Sequence, residues 1–143
     1  MIIKIILTML LIVISVITDI KFGKIKNYIC IPFAVLGIIV NITNISQALL
    51  GIIIPIILLY LLFRFKGLGG GDIKLFAAIG AINGADFIFS CVLYSFVFGG
   101  AIGIILLLIK KIKGVNRASK TYFIFSPAIL LGTIYAYLFI LFI

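Results

Sequence analysis

The sequence predicts an all-α, polytopic membrane protein with six transmembrane helices, and three observations support this fold class. Hydrophobic residues fill 66% of the 143 positions, and charged residues fill only 10%. A soluble domain carries about 25% charged residues. The mean hydropathy is +1.51, and the apolar residues form long runs separated by short polar or basic stretches. These features exclude a soluble globular protein, a disordered chain and a nucleic-acid-binding module.

Six apolar runs are predicted to cross the membrane, a task that takes about 20 residues per helix. They cover residues 2–19, 28–43, 47–64, 72–85, 87–109 and 122–143. The first run is predicted to be retained, because lysines follow it and no small-residue pair marks a cleavage site. Polar residues at 41–46 favour a turn between the second and third runs. The fourth run is the shortest, at about 20 Å of helix. Together the six runs predict a single transmembrane domain that covers residues 1–143.

The distribution of basic residues predicts the orientation of the chain. Twelve Lys and Arg against three acids give a formal net charge of +9. Ten of the twelve follow the first, third and fifth helices, whereas residues 41–47 and 83–86 contain none. By the positive-inside rule, the basic stretches face the cytoplasm and both termini lie outside. The predicted location is the cytoplasmic membrane, where basic residues at the boundary contact lipid headgroups.

Few side chains are available to bind a metal ion. The sequence has no His and no Glu, and Cys30 and Cys91 stand alone in apolar runs. Neither a zinc site nor a disulfide framework is predicted, and no cofactor is implied.

The three acidic residues are therefore informative. The predicted topology puts Asp19 and Asp72 at one membrane face and Asp86 at the other. A carboxyl group at a membrane boundary is costly unless it is paired or hydrated, which makes it a functional candidate. A pair can hydrolyse a peptide without a metal, because an ionised carboxylate deprotonates water while its protonated partner acts as the acid. From position alone, Asp19 is equally compatible with a solvated helix end, and for Asp72 position favours a helix cap.

The sequence around Asp72 resembles a family of membrane proteases. Residues 69–72 read Gly-Gly-Gly-Asp and contain the Gly-x-Gly-Asp signature of the GxGD intramembrane aspartyl proteases. Residues 73–75, Ile-Lys-Leu, extend the similarity to the type IV prepilin peptidases and the preflagellin peptidases. Glycines before the Asp allow the backbone to turn sharply and to approach another chain closely.

Two further stretches resemble the same family. Asp19 precedes residues 25–27, Ile-Lys-Asn, at the spacing of the family's Asp, five residues, Ile-Pro-Asn. Lys26 stands at the Pro position, which removes the fixed backbone dihedral of Pro. Residues 125–128, Phe-Ser-Pro-Ala, are similar to the family's Phe-Gly-Pro stretch, with Ser126 in place of Gly.

The resemblance implies a membrane endopeptidase that removes short basic leaders from type IV pilin-like or archaellin-like precursors at the cytoplasmic face. It assigns Asp19 and Asp72 as the catalytic pair. Supporting roles go to Gly69, Gly71, Lys74, Asn27 and Pro127. Larger relatives also methylate the new N-terminus with an added domain for which this sequence has no room, so peptidase activity alone is expected.

Two functions from other classes use the same features. In a small transporter or channel, the aspartates would form a proton or cation site. In a non-catalytic scaffold for pilus assembly, the aspartates would be replaceable. Self-association into a homo-oligomer and contacts with lipids are compatible with each of these functions.

Overall fold

The computed structural model describes residues 1–23, 25, 27–64, 69–112 and 125–142. Within this part of the chain there are six α-helices and no strand. The helices are α1 (Ile2–Phe22), α2 (Asn27–Val40), α3 (Ile45–Arg64), α4 (Gly70–Asn83), α5 (Ala85–Ile112) and α6 (Ser126–Phe142), with a 3-10 turn at Ile42–Asn44. The predicted all-α fold class is confirmed. Residues 122–124 and 143 of the predicted last helix lie outside the described residues.

Two glycines with positive φ end α1 and α4. Gly23 has φ 63°, and its N–H donates to the Asp19 carbonyl oxygen at 2.8 Å, which ends α1. Gly84 has φ 95°, and its N–H donates to the Gly80 carbonyl oxygen at 2.7 Å, which ends α4. Left-handed backbone of this kind costs little in glycine and satisfies carbonyls at a helix C-terminus. As a result, Asp19 lies in the last turn of α1.

Three helical segments of the described chain are long and apolar enough to cross a membrane. They are Ile2–Phe22, Ile42–Leu61 and Ala85–Ile109. Tyr28–Val40 and Ser126–Phe142 are apolar but shorter. The chain is therefore a helical membrane protein, as its hydropathy predicts.

The short helix α4 lies inside the bundle. It packs against α1, α2, α3 and α5, and every residue from 75 to 82 is buried. Its 14 residues extend about 21 Å, less than the roughly 30 Å of a hydrocarbon core. Because protein and not lipid surrounds it, α4 does not need the length of a lipid-facing helix.

Small residues allow α2 and α3 to approach α4 closely. A Cβ on Gly51 of α3 would lie 2.6 Å from the Gly80 carbonyl carbon, and a Cβ on Gly80 would overlap the Gly51 carbonyl. On α2, a Cβ on Gly37 would lie 2.7 Å from the Ala81 carbonyl carbon. Such backbone-to-backbone packing through small residues is the usual means by which membrane helices associate.

A polar cluster joins α1, α4 and α6 at the end of the bundle where α4 terminates. The Asn83 amide donates to Thr8 Oγ1 at 2.8 Å, and the Tyr137 hydroxyl donates to Asn83 Oδ1 at 2.7 Å. Tyr137 also lies 3.0 Å from Thr8 Oγ1. We call these three residues the Thr8–Asn83–Tyr137 cluster.

Asn41 lies in the predicted polar turn and also binds the backbone of α4. Its side chain is buried, and its amide donates to the carbonyl oxygens of Ala81 at 2.8 Å and Ile82 at 2.7 Å. These bonds tie the end of α2 to the last turn of α4. The sequence pattern identified the polar turn but not this contact, which joins residues far apart in the chain.

The close contact between α3 and α4 leads to a prediction about the stability of the fold. We expect Gly80→Ala to destabilise the fold by about 1–3 kcal/mol, because the added methyl group overlaps the α3 backbone. Gly100→Ala is the matched control, since a Cβ there meets no atom within 4 Å and alanine favours a helix. Thermal unfolding in detergent measures both variants. Equal midpoints for the two would contradict the packing described here.

Candidate active site

Asp19 and Asp72 face the same cavity. The cavity has a volume of about 350 Å³. Its lining consists of Asp19, Gly23, Ile25, Gly69, Gly70, Gly71, Asp72 and Lys74. The structure therefore brings together the predicted catalytic pair and three of the five predicted supporting residues.

Asp72 is held in the first turn of α4. The Gly69 N–H donates to Asp72 Oδ2 at 3.2 Å, and the Asp72 N–H donates to the Gly69 carbonyl oxygen at 3.1 Å. The carboxylate thus satisfies a backbone donor at the positive end of the helix. Asp72 is only 8% exposed. Asp72 therefore caps the first turn of α4, as the sequence suggested, and also borders the cavity.

The glycines before Asp72 are needed because the chain is crowded there. A Cβ on Gly71 would lie 3.0 Å from the Cβ of Ile25, on the segment between α1 and α2. A Cβ on Gly69 would lie 3.1 Å from Asp72 Oδ2. Side chains at these positions would push against the residues that border the cavity. The glycine run therefore serves close approach as well as the turn into α4.

Asp19 receives a hydrogen bond from the start of α6. The Ser126 hydroxyl donates to Asp19 Oδ2, and Ser126 itself is fully buried. Sequence reasoning noted Ser126 only as a departure from the family pattern and missed this contact. The signal that could have revealed it was a hydroxyl side chain inside the third family-like stretch.

The remaining predicted residues are spread around the site. Pro127 follows Ser126 in the first turn of α6, where a residue without an N–H leaves no helical hydrogen bond unmade. α2 begins at Asn27, but the Asn27 side chain and Lys26 lie outside the described residues. Asp86 is exposed in the first turn of α5, past the far end of α4. The separation of Asp86 from the other two acids agrees with the predicted arrangement.

A second, apolar groove begins at Lys74. It has a volume of about 230 Å³ and runs between α2 and α4. Its lining consists of Cys30, Ile31, Ala34, Lys74, Ala77 and Ala78. Lys74 lines both cavities, so the groove lies next to the cavity that holds the two aspartates.

Comparison with known proteins identifies the family. The sequence profile of the type IV leader peptidase family matches residues 5–104, a stretch that contains both aspartates and the glycine run. The chain belongs to the type IV leader peptidase family. The resemblance stated from the motifs is thereby confirmed.

One curated member of the type IV leader peptidase family is a clear relative. The chain is 33% identical over 135 residues to the prepilin leader peptidase/N-methyltransferase of Bacillus subtilis (strain 168). The match covers 90% of this chain and 52% of the relative, so the chain spans about half the length of that protein. No solved structure matches the chain significantly.

Proposed function

We propose that the chain is an aspartic endopeptidase of the cytoplasmic membrane that cleaves short basic leaders from type IV pilin-like or archaellin-like precursors. The observation that carries this proposal is the placement of Asp19 and Asp72 around one cavity. Membership in the leader peptidase family supports peptide hydrolysis. The name of the Bacillus subtilis relative supports a prepilin as the substrate.

In the proposed reaction, the two carboxyl groups share one proton, because two like charges at one site disfavour double ionisation. The ionised carboxylate takes a proton from water, and the water oxygen attacks the carbonyl carbon of the scissile bond. The protonated carboxyl group donates its proton to the carbonyl oxygen. As the C–N bond breaks, the first carboxyl group gives the proton it took from water to the departing nitrogen, and the second takes back one proton from a hydroxyl of the tetrahedral carbon. An acid, an amine and a pair that again holds one proton remain.

The glycine run supports binding of an extended substrate backbone. Gly69, Gly70 and Gly71 line the cavity and present no side chain between a bound peptide and Asp72. The family resemblance implies a cut after a Gly at the junction between leader and apolar helix. An extended segment around that Gly would lie along this edge of the cavity.

The basic residues support a cytoplasmic position for the cavity. Lys21 and Arg64 lie in the last turns of α1 and α3, at the end of the bundle where Asp19 and Asp72 lie. The positive-inside rule assigns that end to the cytoplasm. The leaders of the precursors would meet the enzyme on that side.

The apolar helix of the precursor is proposed to lie in the groove between α2 and α4. The groove and the candidate site share Lys74 in their linings, and small side chains such as Ala34 and Ala78 line the groove. A helix that begins just after the scissile bond would enter the groove directly from the cavity. Packing against small residues would then hold it without any need for charge attraction.

The catalytic role of the aspartates makes the first functional prediction. We expect Asp19→Asn and Asp72→Asn each to lower precursor cleavage at least 100-fold, because each swap removes an acid–base group and keeps its size. Asp86→Asn is the matched control and is expected to cleave normally, since Asp86 is exposed at the far end of α4. Co-expression with a tagged prepilin, followed by a gel that resolves loss of the leader, measures all three.

The same experiment separates the other functions. Full cleavage by well-expressed Asp19→Asn and Asp72→Asn variants would remove the aspartic mechanism. Pilus assembly that survives both substitutions, with no cleavage by any form of the chain, would favour the scaffold. Aspartate-dependent proton or cation flux in vesicles, with no cleavage of prepilin or archaellin precursors, would favour the transporter.

A shared proton makes a prediction about pH. Cleavage is expected to fall at low pH, where both carboxyl groups are protonated, and at high pH, where both are ionised. The rate of leader removal by the detergent-solubilised enzyme, measured across the pH range, tests this expectation. A rate that stays constant through the acidic range would contradict the shared proton.

The groove makes a prediction about substrate length. Ala34→Leu is expected to raise the KM for a full-length prepilin by about tenfold, because the larger side chain fills the groove. A short peptide with the leader and junction, but without the apolar helix, should be cleaved as by the unmodified enzyme. Ala101→Leu, on the exposed side of α5, is the control. An equal loss with both substrates would contradict the role of the groove.

A further inference from the structure

We propose that Ser126 is a positioning residue that orients the carboxyl group of Asp19, so that Asp19 acts as the base and Asp72 as the acid. This inference rests on the proposed peptidase function. It is carried by the hydrogen bond from the Ser126 hydroxyl to Asp19 Oδ2. A hydroxyl that donates to a carboxylate favours its ionised form and fixes the direction in which its other oxygen points.

The position of Ser126 is fixed by its neighbours in the chain. The ring of Phe125 packs against Phe96 on α5, with centroids 5.5 Å apart. A Cβ on Gly99 would lie 3.1 Å from Phe125 Cδ2, so the ring sits directly on the α5 backbone. On the other side of Ser126, Pro127 restricts the backbone at the start of α6. The backbone at Ser126 is therefore held in place by its neighbours, independently of Asp19.

The hydrogen bond reaches Asp19 from the protein side. Ser126 is fully buried, whereas Asp19 is partly exposed and lines the cavity. The donor thus engages one carboxylate oxygen without blocking access from the cavity. This geometry suits a base that must accept a proton from a water molecule in the cavity.

The two carboxyl groups have unequal donors. Asp72 accepts the backbone Gly69 N–H at 3.2 Å, the long end of the hydrogen-bond range. Asp19 accepts a hydroxyl from a fully buried side chain. Once Asp19 is ionised, repulsion between like charges favours retention of the proton on Asp72.

Other charged groups near Asp19 come from α1 and α4. Lys21 lies two residues further along α1, and Asp72 and Lys74 border the same cavity from α4. The described residues 27–40 of α2 and 126–142 of α6, the other helices packed against α1, carry no charge. Lys24 and Lys26, between α1 and α2, lie outside the described residues. Among the described side chains of α6, Ser126 is the one that donates a hydrogen bond to Asp19.

Removal of the hydroxyl tests the proposal. For Ser126→Ala we expect kcat for prepilin cleavage to fall about tenfold with KM nearly unchanged. The acidic limb of the kcat profile should move to higher pH by about one unit, because Asp19 is protonated more readily without its donor. Ser126→Gly, which has the residue of the family's Phe-Gly-Pro stretch, should show the same shift if the hydroxyl and not the packing is responsible.

Ser95→Ala is the matched control. Ser95 is also fully buried, and its hydroxyl donates to the Cys91 carbonyl oxygen at 2.7 Å, away from Asp19. This variant should keep the unmodified pH profile even if its thermal stability falls. An unmodified pH profile in both Ser126 variants, or the same shift in Ser95→Ala, would overturn the proposal.

A measurement without substrate separates this proposal from the proposed function. Infrared difference spectra of the Asp72→Asn, Asp86→Asn double variant, in which Asp19 is the remaining acidic side chain, report protonation of Asp19 across the acidic range. Ser126→Ala in that background should move the midpoint to higher pH. An unmoved midpoint overturns the role of Ser126 even if the enzyme cleaves prepilin. A moved midpoint with no aspartate-dependent cleavage overturns the peptidase function, while the effect of the hydroxyl on Asp19 stands.

Discussion

The register of three helices relative to one another is the constraint on which the candidate site depends. The Thr8–Asn83–Tyr137 cluster joins α1, α4 and α6 at one end of the bundle. Each helix then runs the same distance to the site: Asp19 follows Thr8 by eleven residues, Asp72 precedes Asn83 by eleven, and Ser126 precedes Tyr137 by eleven. Eleven residues make about three helical turns and about 16.5 Å. On each helix, the cluster residue and the site residue therefore project from nearly the same face.

This equal spacing connects the polar cluster to the chemistry of the carboxyl groups. Because α1, α4 and α6 are rigid over three turns, a fixed register at the cluster also fixes the level of Asp19, Asp72 and Ser126 at the opposite end. A slip by one residue in any of the three helices would rotate its functional side chain by about 100°. Close contact of α4 with α3 at Gly51 and Gly80 resists such a slip, because interlocked backbones cannot slide freely.

The sequence predicted the parts of this arrangement that depend on composition and local motif. Long apolar runs determine where helices form, and the residues around Asp19 and Asp72 identify the family. The central position of α4 was not predictable, because its buried faces carry large and small apolar residues in no clear period and its length suggests a weak membrane span. The contacts of Asn41 with α4 and of Ser126 with Asp19 join residues 40 or more positions apart. No local pattern encodes such contacts.

The position of the two aspartates near helix ends explains how ionisable groups can work in this bundle. Asp19 lies in the last turn of α1 and Asp72 in the first turn of α4. α1 has 21 residues and α4 has 14, but six of the seven extra residues of α1 precede Thr8 and lie beyond the cluster, away from the site. Register, and not the difference in helix length, therefore brings the two aspartates to one level at the cavity. Water that enters the cavity lowers the cost of charge near the hydrocarbon and supplies the molecule that the proposed peptide hydrolysis consumes.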